Sequence, residues 1–215
     1  MHDRLPARAS RLTRRDSQRK YRAILDAGID LFLEKGFVQT TMDAVAEKAS
    51  VSKRTVYGHF NNKEELFSAV VREMCGQGKV LPEEVITTSQ GTPEAVLTEL
   101  GAGALANFYA KDMIALFQTV VADSRQFPEI GKLFFEGPVT RSHVLIGKYL
   151  AEQVEAGTIK VKYPDIAAQQ FLGLLKTDLH MRLLFSQKPR VTKALLHDIA
   201  ARTADVFLNG VGGRS

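Results

Sequence analysis

Residues 40–67 read TTMDAVAEKASVSKRTVYGHFNNKEELF, and this stretch decides the fold. Thr40 and Thr41 stand before 42–49, where a hydroxyl can cap the first amides of a short helix. Ser50 and Val51 break that helix after two turns, Ser52 supplies a second cap, and 53–60 form the next helix. Asn61 and Asn62 turn the chain into a further helix from Lys63 through Leu66, Phe67, Val70, Val71 and Met74. A short helix, a tight turn and a second short helix make a helix-turn-helix, which offers its second helix to the DNA major groove. Ala46 is small where two helices must approach, and Val45 and Val51 pack beneath the turn. Val56 and Phe60, four residues apart, seat the second helix on the core. Lys53, Arg54, Thr55, Tyr57 and His59 are left on or near the outside. Two cations, a hydroxyl, a phenol and an imidazole without an acid suit phosphates and base edges.

Upstream, the pattern is helical from about Asp16. Tyr21, Ile24, Leu25, Ile29, Leu31, Phe32 and Leu33 recur mostly at three- and four-residue steps, and Gly36 is a natural stop. The formal net charge of +5 is concentrated at the start of the chain. Residues 1–22 hold eight Arg and Lys against Asp3 and Asp16, while the rest carries 21 basic and 22 acidic side chains. A basic arm over 1–17 points to a polyanion partner, because Lys and Arg that displace counterions from phosphates gain affinity without reading sequence. A solvated leader is the plainer reading of the arm taken alone.

Downstream, residues 76–92 contain Gly76, Gly78, Pro82 and Gly91 and read as the end of a linking helix, a loop and a domain boundary. Amphipathic helices follow at roughly 93–109, 112–124, 128–135, 138–156, 164–186 and 191–208. Only 158–163 alternates like a strand, and it is short. The expected fold is all-α with about nine or ten helices: an arm at 1–17, a helix-turn-helix domain at 18–75 and a helical domain at 76–215.

The same sequence narrows the function classes. Hydrophobic residues at 45% and charged residues at 25% are ordinary for a soluble globular protein. No apolar run approaches the ~20 residues of a membrane helix, and no secretory leader is expected, so the chain is read as cytoplasmic and without a membrane partner. Cys75 is the single cysteine, which excludes an internal disulfide and a Cys-rich zinc site. His2, His59, His143, His180 and His197 show no paired metal spacing, so neither metal nor cofactor is expected. Gly101-Ala102-Gly103-Ala104-Leu105-Ala106 fits a loose dinucleotide fingerprint but sits inside a helical pattern with no strand before it. Without a phosphate loop, a nucleophile elbow or a polar constellation in the second half, the chain is not expected to be an enzyme.

The run at 40–67, with ILDAGIDLFLEKGF at 24–37 before it, resembles the DNA-binding head of the TetR family of bacterial transcriptional regulators. One departure is Ser50, where the family commonly has Gly at the turn. Further on, SRQFPEIGKLFFEGPVTR (124–141) and AAQQFLGLL (167–175) are loosely similar to the AefR-like branch. The resemblance implies a homodimer on a palindromic double-stranded DNA operator, most simply a repressor released by a small-molecule effector. The alternative is an architectural nucleic-acid-binding protein without sequence preference or ligand.

Roles carried over from the family fall on matching positions. Thr41 would hold a phosphate at a helix N-terminus, with Ser52 beside the second helix. Lys53, Arg54, Thr55 and Gly58 would face base edges, and Tyr57, His59 and Lys63 would contact phosphates. For the ligand, Phe108, Phe117, Phe134, Phe135, Tyr149 and Phe185 are candidate lining, and Tyr109, Gln118, Asp178 and His180 candidate anchors. Phe171, Leu174, Leu175, Leu179 and Arg182 are candidate dimer contacts.

Overall fold

The computed structural model of the chain describes residues 7–75 and 91–211, with side chains from Arg14 onward. No strand forms among the described residues. The helices are α1 (Ala7–Gln39), α2 (Met42–Lys48), α3 (Lys53–His59), α4 (Lys63–Cys75), α5 (Pro93–Phe108), α6 (Lys111–Asp123) and α7 (Pro128–Phe134). A π-helical turn, Phe135–Val139, leads into α8 (Thr140–Glu155), which is followed by α9 (Pro164–Leu175), α10 (Asp178–Leu184) and α11 (Lys193–Asn209). They divide into two compact units: Met1–Val71 with Thr119–Gly131, and Arg72–Gln118 with Lys132–Ser215. Thr119–Gly131 thus fall across the boundary expected at 75 and 76. Most of the expected linking region, 76–90, lies outside the described residues.

In the first unit, α1 runs back to Ala7, so 7–17 continue the first helix; the first six residues lie outside the described ones. Arg19 and Lys20 pair with Asp16 at 3.0 and 2.6 Å, so part of the basic charge is answered within the helix. Gly36 ends the regular helix, as its position predicts, with φ of 81°. A β-carbon there would also lie 3.0 Å from Asp123 Oδ2, so only glycine suits the site. Phe32, Phe37 and Phe67 are fully buried. Their rings meet at 5.1–5.9 Å between centroids, and Phe127 adds an edge contact to Phe37 at 5.1 Å.

The segment after Gly36 is held from both sides. Asp123 Oδ2 accepts hydrogen bonds from the amides of Phe37 (2.6 Å) and Val38 (3.3 Å). Lys63 Nζ donates to the carbonyls of Phe37 (2.7 Å) and Val38 (3.3 Å) and lies 4.4 Å from the Phe37 ring centroid. The buried Thr40 hydroxyl closes the loop on the Gly36 carbonyl at 2.7 Å.

In the second unit, α5 and α11 pack closely along their lengths. Gly101 makes this possible, since a β-carbon there would stand 3.0 Å from Leu175 Cδ2 and 3.1 Å from Ala200 Cβ. The glycine-rich run of α5 is therefore a packing surface. Leu97, Leu100, Leu105, Ile146, Leu150, Phe171 and Leu175 are fully buried around it. The extended stretch at 158–163 packs Ile159 and Val161 on this core without pairing as a strand.

The region 164–186, expected as one helix, is two. Lys176 (φ −82°, ψ 75°) leaves helical geometry after Leu175, and Thr177 starts the next helix. No Gly or Pro marks the break, and the apolar stripe continues across it through Leu172, Leu175 and Leu179. None of the described helices is long and apolar enough to cross a membrane.

Candidate nucleic-acid interface and ligand cavity

The helix-turn-helix is built by paired caps. Thr41 Oγ1 accepts from the Ala44 amide at 3.1 Å, and Ser52 Oγ accepts from the Thr55 amide at 3.1 Å. Between them, α2 ends with the Val51 amide donating to Ala46 O and the Ser50 amide to Glu47 O, both at 3.0 Å. This is a Schellman ending, and it puts Ser50 at φ of 53°. The departure from glycine thus leaves the turn intact, at the cost of a left-handed non-glycine residue. Val45 and Val56 are fully buried beneath the turn.

The predicted outward residues separate into two groups. Lys53, Arg54, Tyr57 and Gly58 are exposed on α3, and Tyr57 keeps 52% of its surface. A β-carbon at Gly58 would meet nothing within 4 Å, so no neighbour in the chain requires glycine there. Lys53 Nζ pairs with Asp43 Oδ2 at 2.6 Å, and that hydrogen bond raises its pKa. Arg54 has no ion pair among the described residues, which makes it the free cation of the α3 face. The Thr55 hydroxyl lies 2.8 Å from Ser52 Oγ, so the two hydroxyls bind each other at the helix start.

The second group faces the fold. His59 is half-buried with its ring edge-on to Tyr21 at 5.9 Å, while Tyr21 stacks on Phe60 at 5.3 Å. Lys63, expected at a phosphate, turns its ammonium onto the carbonyls of Phe37 and Val38, and desolvation lowers its pKa. Its charge serves the segment after Gly36, and Asp123, its counterpart on the amides, was not among the sequence candidates.

The second unit contains a cavity of about 60 Å³. Of the candidate ligand residues, Phe108, Phe117, Phe134 and His180 line it. Phe117 meets Phe134 edge-on at 5.5 Å and His180 at 5.6 Å. The others are elsewhere. Phe135 and Phe185 are 59% and 69% exposed, because the π-helical turn and the end of α10 direct them outward. Tyr149 belongs to the apolar core. Gln118 donates to Leu184 O at 2.8 Å and thereby caps α10, and Asp178 is exposed and paired with Arg182 at 2.7 Å. Tyr109 is buried beside His180 at 5.9 Å, and burial pushes its phenol up to about 12.

Sequence reasoning missed Asn107, Met113, Ser142, His143, Leu172 and Lys176, all of which line the cavity. A readable signal existed: Leu172, Lys176 and His180 stand four apart, so a cation and an imidazole continue an apolar stripe. Desolvation, and then the charge of Lys176, hold His143 and His180 below the ordinary histidine range. Cys75 also lines the cavity, with Sγ 3.8 Å from Met113 Sδ. Burial pushes its thiol up to about 12, so it stays protonated and unreactive at neutral pH.

The candidate dimer residues also divide. Phe171, Leu175 and Leu179 are buried within the chain's own core and leave no face for a second copy, whereas Leu174 and Arg182 are exposed.

Comparison with known proteins fits this geometry. Residues 24–70 match the family described as bacterial regulatory proteins, tetR family, and residues 95–210 match the AefR-like transcriptional repressor C-terminal domain. The HTH-type transcriptional regulator YhgD of Bacillus subtilis (strain 168) is 28% identical over 155 residues, 70% of this chain and 78% of its own. A crystal structure of a TetR-family regulator from Mesorhizobium loti superposes with a TM-score of 0.78 at 28% identity, covering 89% of this chain and 96% of that one. The flavonoid-responsive regulator FrrA superposes with a TM-score of 0.70 at 26% identity, covering 88% and 95%. The AefR-like match alone spans more than half of the chain, and with the head match it establishes that this protein belongs to the TetR family of transcriptional regulators.

Proposed function

We propose that the protein is a homodimeric repressor that reads an inverted repeat through α3 and leaves it when a small molecule fills the cavity of the second unit. The observation that carries this reading is the exposed face of α3, where Lys53, Arg54, Tyr57 and Gly58 stand clear on a fully seated helix. Arg54, without an ion pair among the described residues, is assigned to base edges. Lys53 would exchange Asp43 for a base edge, and the hydroxyls of Thr41 and Ser52 lie at the helix starts where phosphates bind. Residues 18–75 form the reading head, and 76–215 the part that senses ligand and pairs. Leu174 and Arg182 remain as pairing contacts. Acting on chromosomal operators places the protein in the cytoplasm.

The effector role is supported by α6, which carries Met113, Ile114 and Phe117 at the cavity and Asp123 at the Phe37 and Val38 amides. Ligand would favour a dimer whose two heads no longer match both half-sites, a shift in population between two forms. That a structural relative, FrrA, is flavonoid-responsive supports a small-molecule effector here.

Selection from a random duplex DNA library at moderate salt tests the reading. An inverted repeat with half-sites about one helical turn apart is expected. Arg54→Ala should then cost about 1–3 kcal/mol at one base position. Retention without enrichment, fading only as salt rises, would identify an architectural protein instead.

A further inference from the structure

We propose that the cavity of the second unit takes a small aromatic carboxylate, its ring among Phe108, Phe117 and Phe134 and its charge paired with Lys176. The assignment rests on the reading of this cavity as the effector site and names the chemical class it selects. Three features carry it.

The first is charge. Among the described residues the lining includes Lys176, His143, His180 and Asn107 and no acidic side chain. Lys176 makes no ion pair among the described residues, and its Nζ lies 5.9 Å from the Phe108 ring centroid. Lys176 is an exposed residue that also lines the cavity, so its side chain lies between the cavity and solvent. Desolvation lowers its pKa, as expected of a cation that has lost water without gaining a counter-ion. An anion answers this field, a neutral group leaves it unanswered, and a cation is repelled.

The second is unmet hydrogen bonding. Asn107 Nδ2 and His180 Nδ1 are buried with no partner among the described residues. Such groups are costly to leave unsatisfied, and both belong to residues that line the cavity. The break after α9 places Lys176 and His180 there together, held by Lys176 N to Gly173 O (3.1 Å) and His180 N to Thr177 O (3.0 Å).

The third is size and lining. Phe108, Phe117, Phe134 and Met113 offer ring faces, edges and sulfur that pair with another aromatic ring. At about 60 Å³ the space is smaller than the roughly 150 Å³ apolar cavity that admits benzene. Even a single ring therefore enters only as a wall gives way. Pro138 and Val139, from the π-helical turn, form part of that wall. A π-helical turn is an interrupted helix, and such turns occur often at functional sites.

Titration calorimetry of the full chain with benzoate, benzamide and benzylamine tests the proposal. Benzoate should bind roughly tenfold or more tightly than benzamide, and benzylamine should be the weakest. Lys176→Met should remove the benzoate advantage, and Lys176→Arg should restore it. Equal binding of benzoate and benzamide, a preference for benzylamine, or no benzoate binding at millimolar concentration overturns the proposal. Benzoate binding that leaves the operator occupied would sink the effector reading and spare this one. Release of DNA by a neutral molecule, with no benzoate binding, would do the reverse.

Discussion

The two units treat their polar groups in opposite ways. In the first, the Thr41 and Ser52 caps, the Thr40 hydroxyl, the Lys63 ammonium and the Asp123 carboxylate all have partners, most of them backbone groups. In the second, Asn107 Nδ2, Tyr109 Oη and His180 Nδ1 are buried with none among the described residues, and a helix breaks where no Gly or Pro requires it. A reading head must hold its recognition helix in one geometry before DNA arrives, so satisfied hydrogen bonds serve it. A sensor needs groups whose best partner comes from outside. The contrast makes a physical claim: losing a partner in the first unit should destabilise, and losing an orphan in the second should stabilise.

The largest effect is expected at Phe37. It is fully buried against Phe32, Phe67 and Phe127, so Phe37→Ala should cost about 3–5 kcal/mol, read by urea unfolding. A cost under about 1 kcal/mol would mean that the ring cluster does not set the stability of the head.

Asp123→Ala comes next, at about 2 kcal/mol, since it leaves the Phe37 and Val38 amides without their charged acceptor. The variant should also lose operator affinity if the segment after Gly36 helps hold the head. Unchanged stability and affinity together would show that the clamp on this segment is dispensable.

These two residues also show what the sequence could and could not say. The caps, the turn and the two short helices were legible, because each depends on neighbours within four residues. Asp123 was not, because its partners lie 86 and 85 positions away and nothing in the local pattern distinguishes it from a solvated helix end. The carbonyl partners of Lys63 were hidden for the same reason: a lysine at a helix start looks free until the carbonyls of Phe37 and Val38 are brought to it. Phe134 and Phe135 are adjacent, so periodicity alone could not choose between them, and the π-helical turn beginning at Phe135 sends one in and the other out. The dimer candidates divide between core and surface for a similar reason, since one apolar stripe serves an internal core and an interface equally well.

The opposite sign is expected at His180. His180→Leu removes a buried, unpartnered nitrogen and should stabilise by about 1 kcal/mol at pH 7. The pH dependence sharpens the test. Burial, and then Lys176, depress the folded pKa of His143 and His180. The unfolded chain binds protons near pH 6.5 that the folded chain refuses. Stability is therefore full above that pH and declines as pH falls from it toward the folded pKa values. The substitution should flatten this decline, followed by thermal unfolding between pH 7.5 and 5.5. A loss of stability at pH 7 would mean that Nδ1 is hydrogen-bonded in solution and that the contrast between the units fails at its clearest point.

The smallest effect concerns the one strained residue of an otherwise satisfied turn. Ser50 adopts φ of 53° and is exposed, so its side chain gives little back for the left-handed backbone. Its amide and that of Val51 already complete the Schellman ending, and neither hydrogen bond needs a side chain. Ser50→Gly removes the clash of the β-carbon but frees the unfolded chain, leaving a net gain of about 0.5–1 kcal/mol. Operator affinity decides what the strain means. If the variant is more stable and binds DNA equally well, the serine is a tolerated cost, and the turn is as finished as its hydrogen bonds imply. If affinity falls while stability rises, Ser50 meets the DNA, and the head, like the second unit, keeps a group whose partner comes from outside.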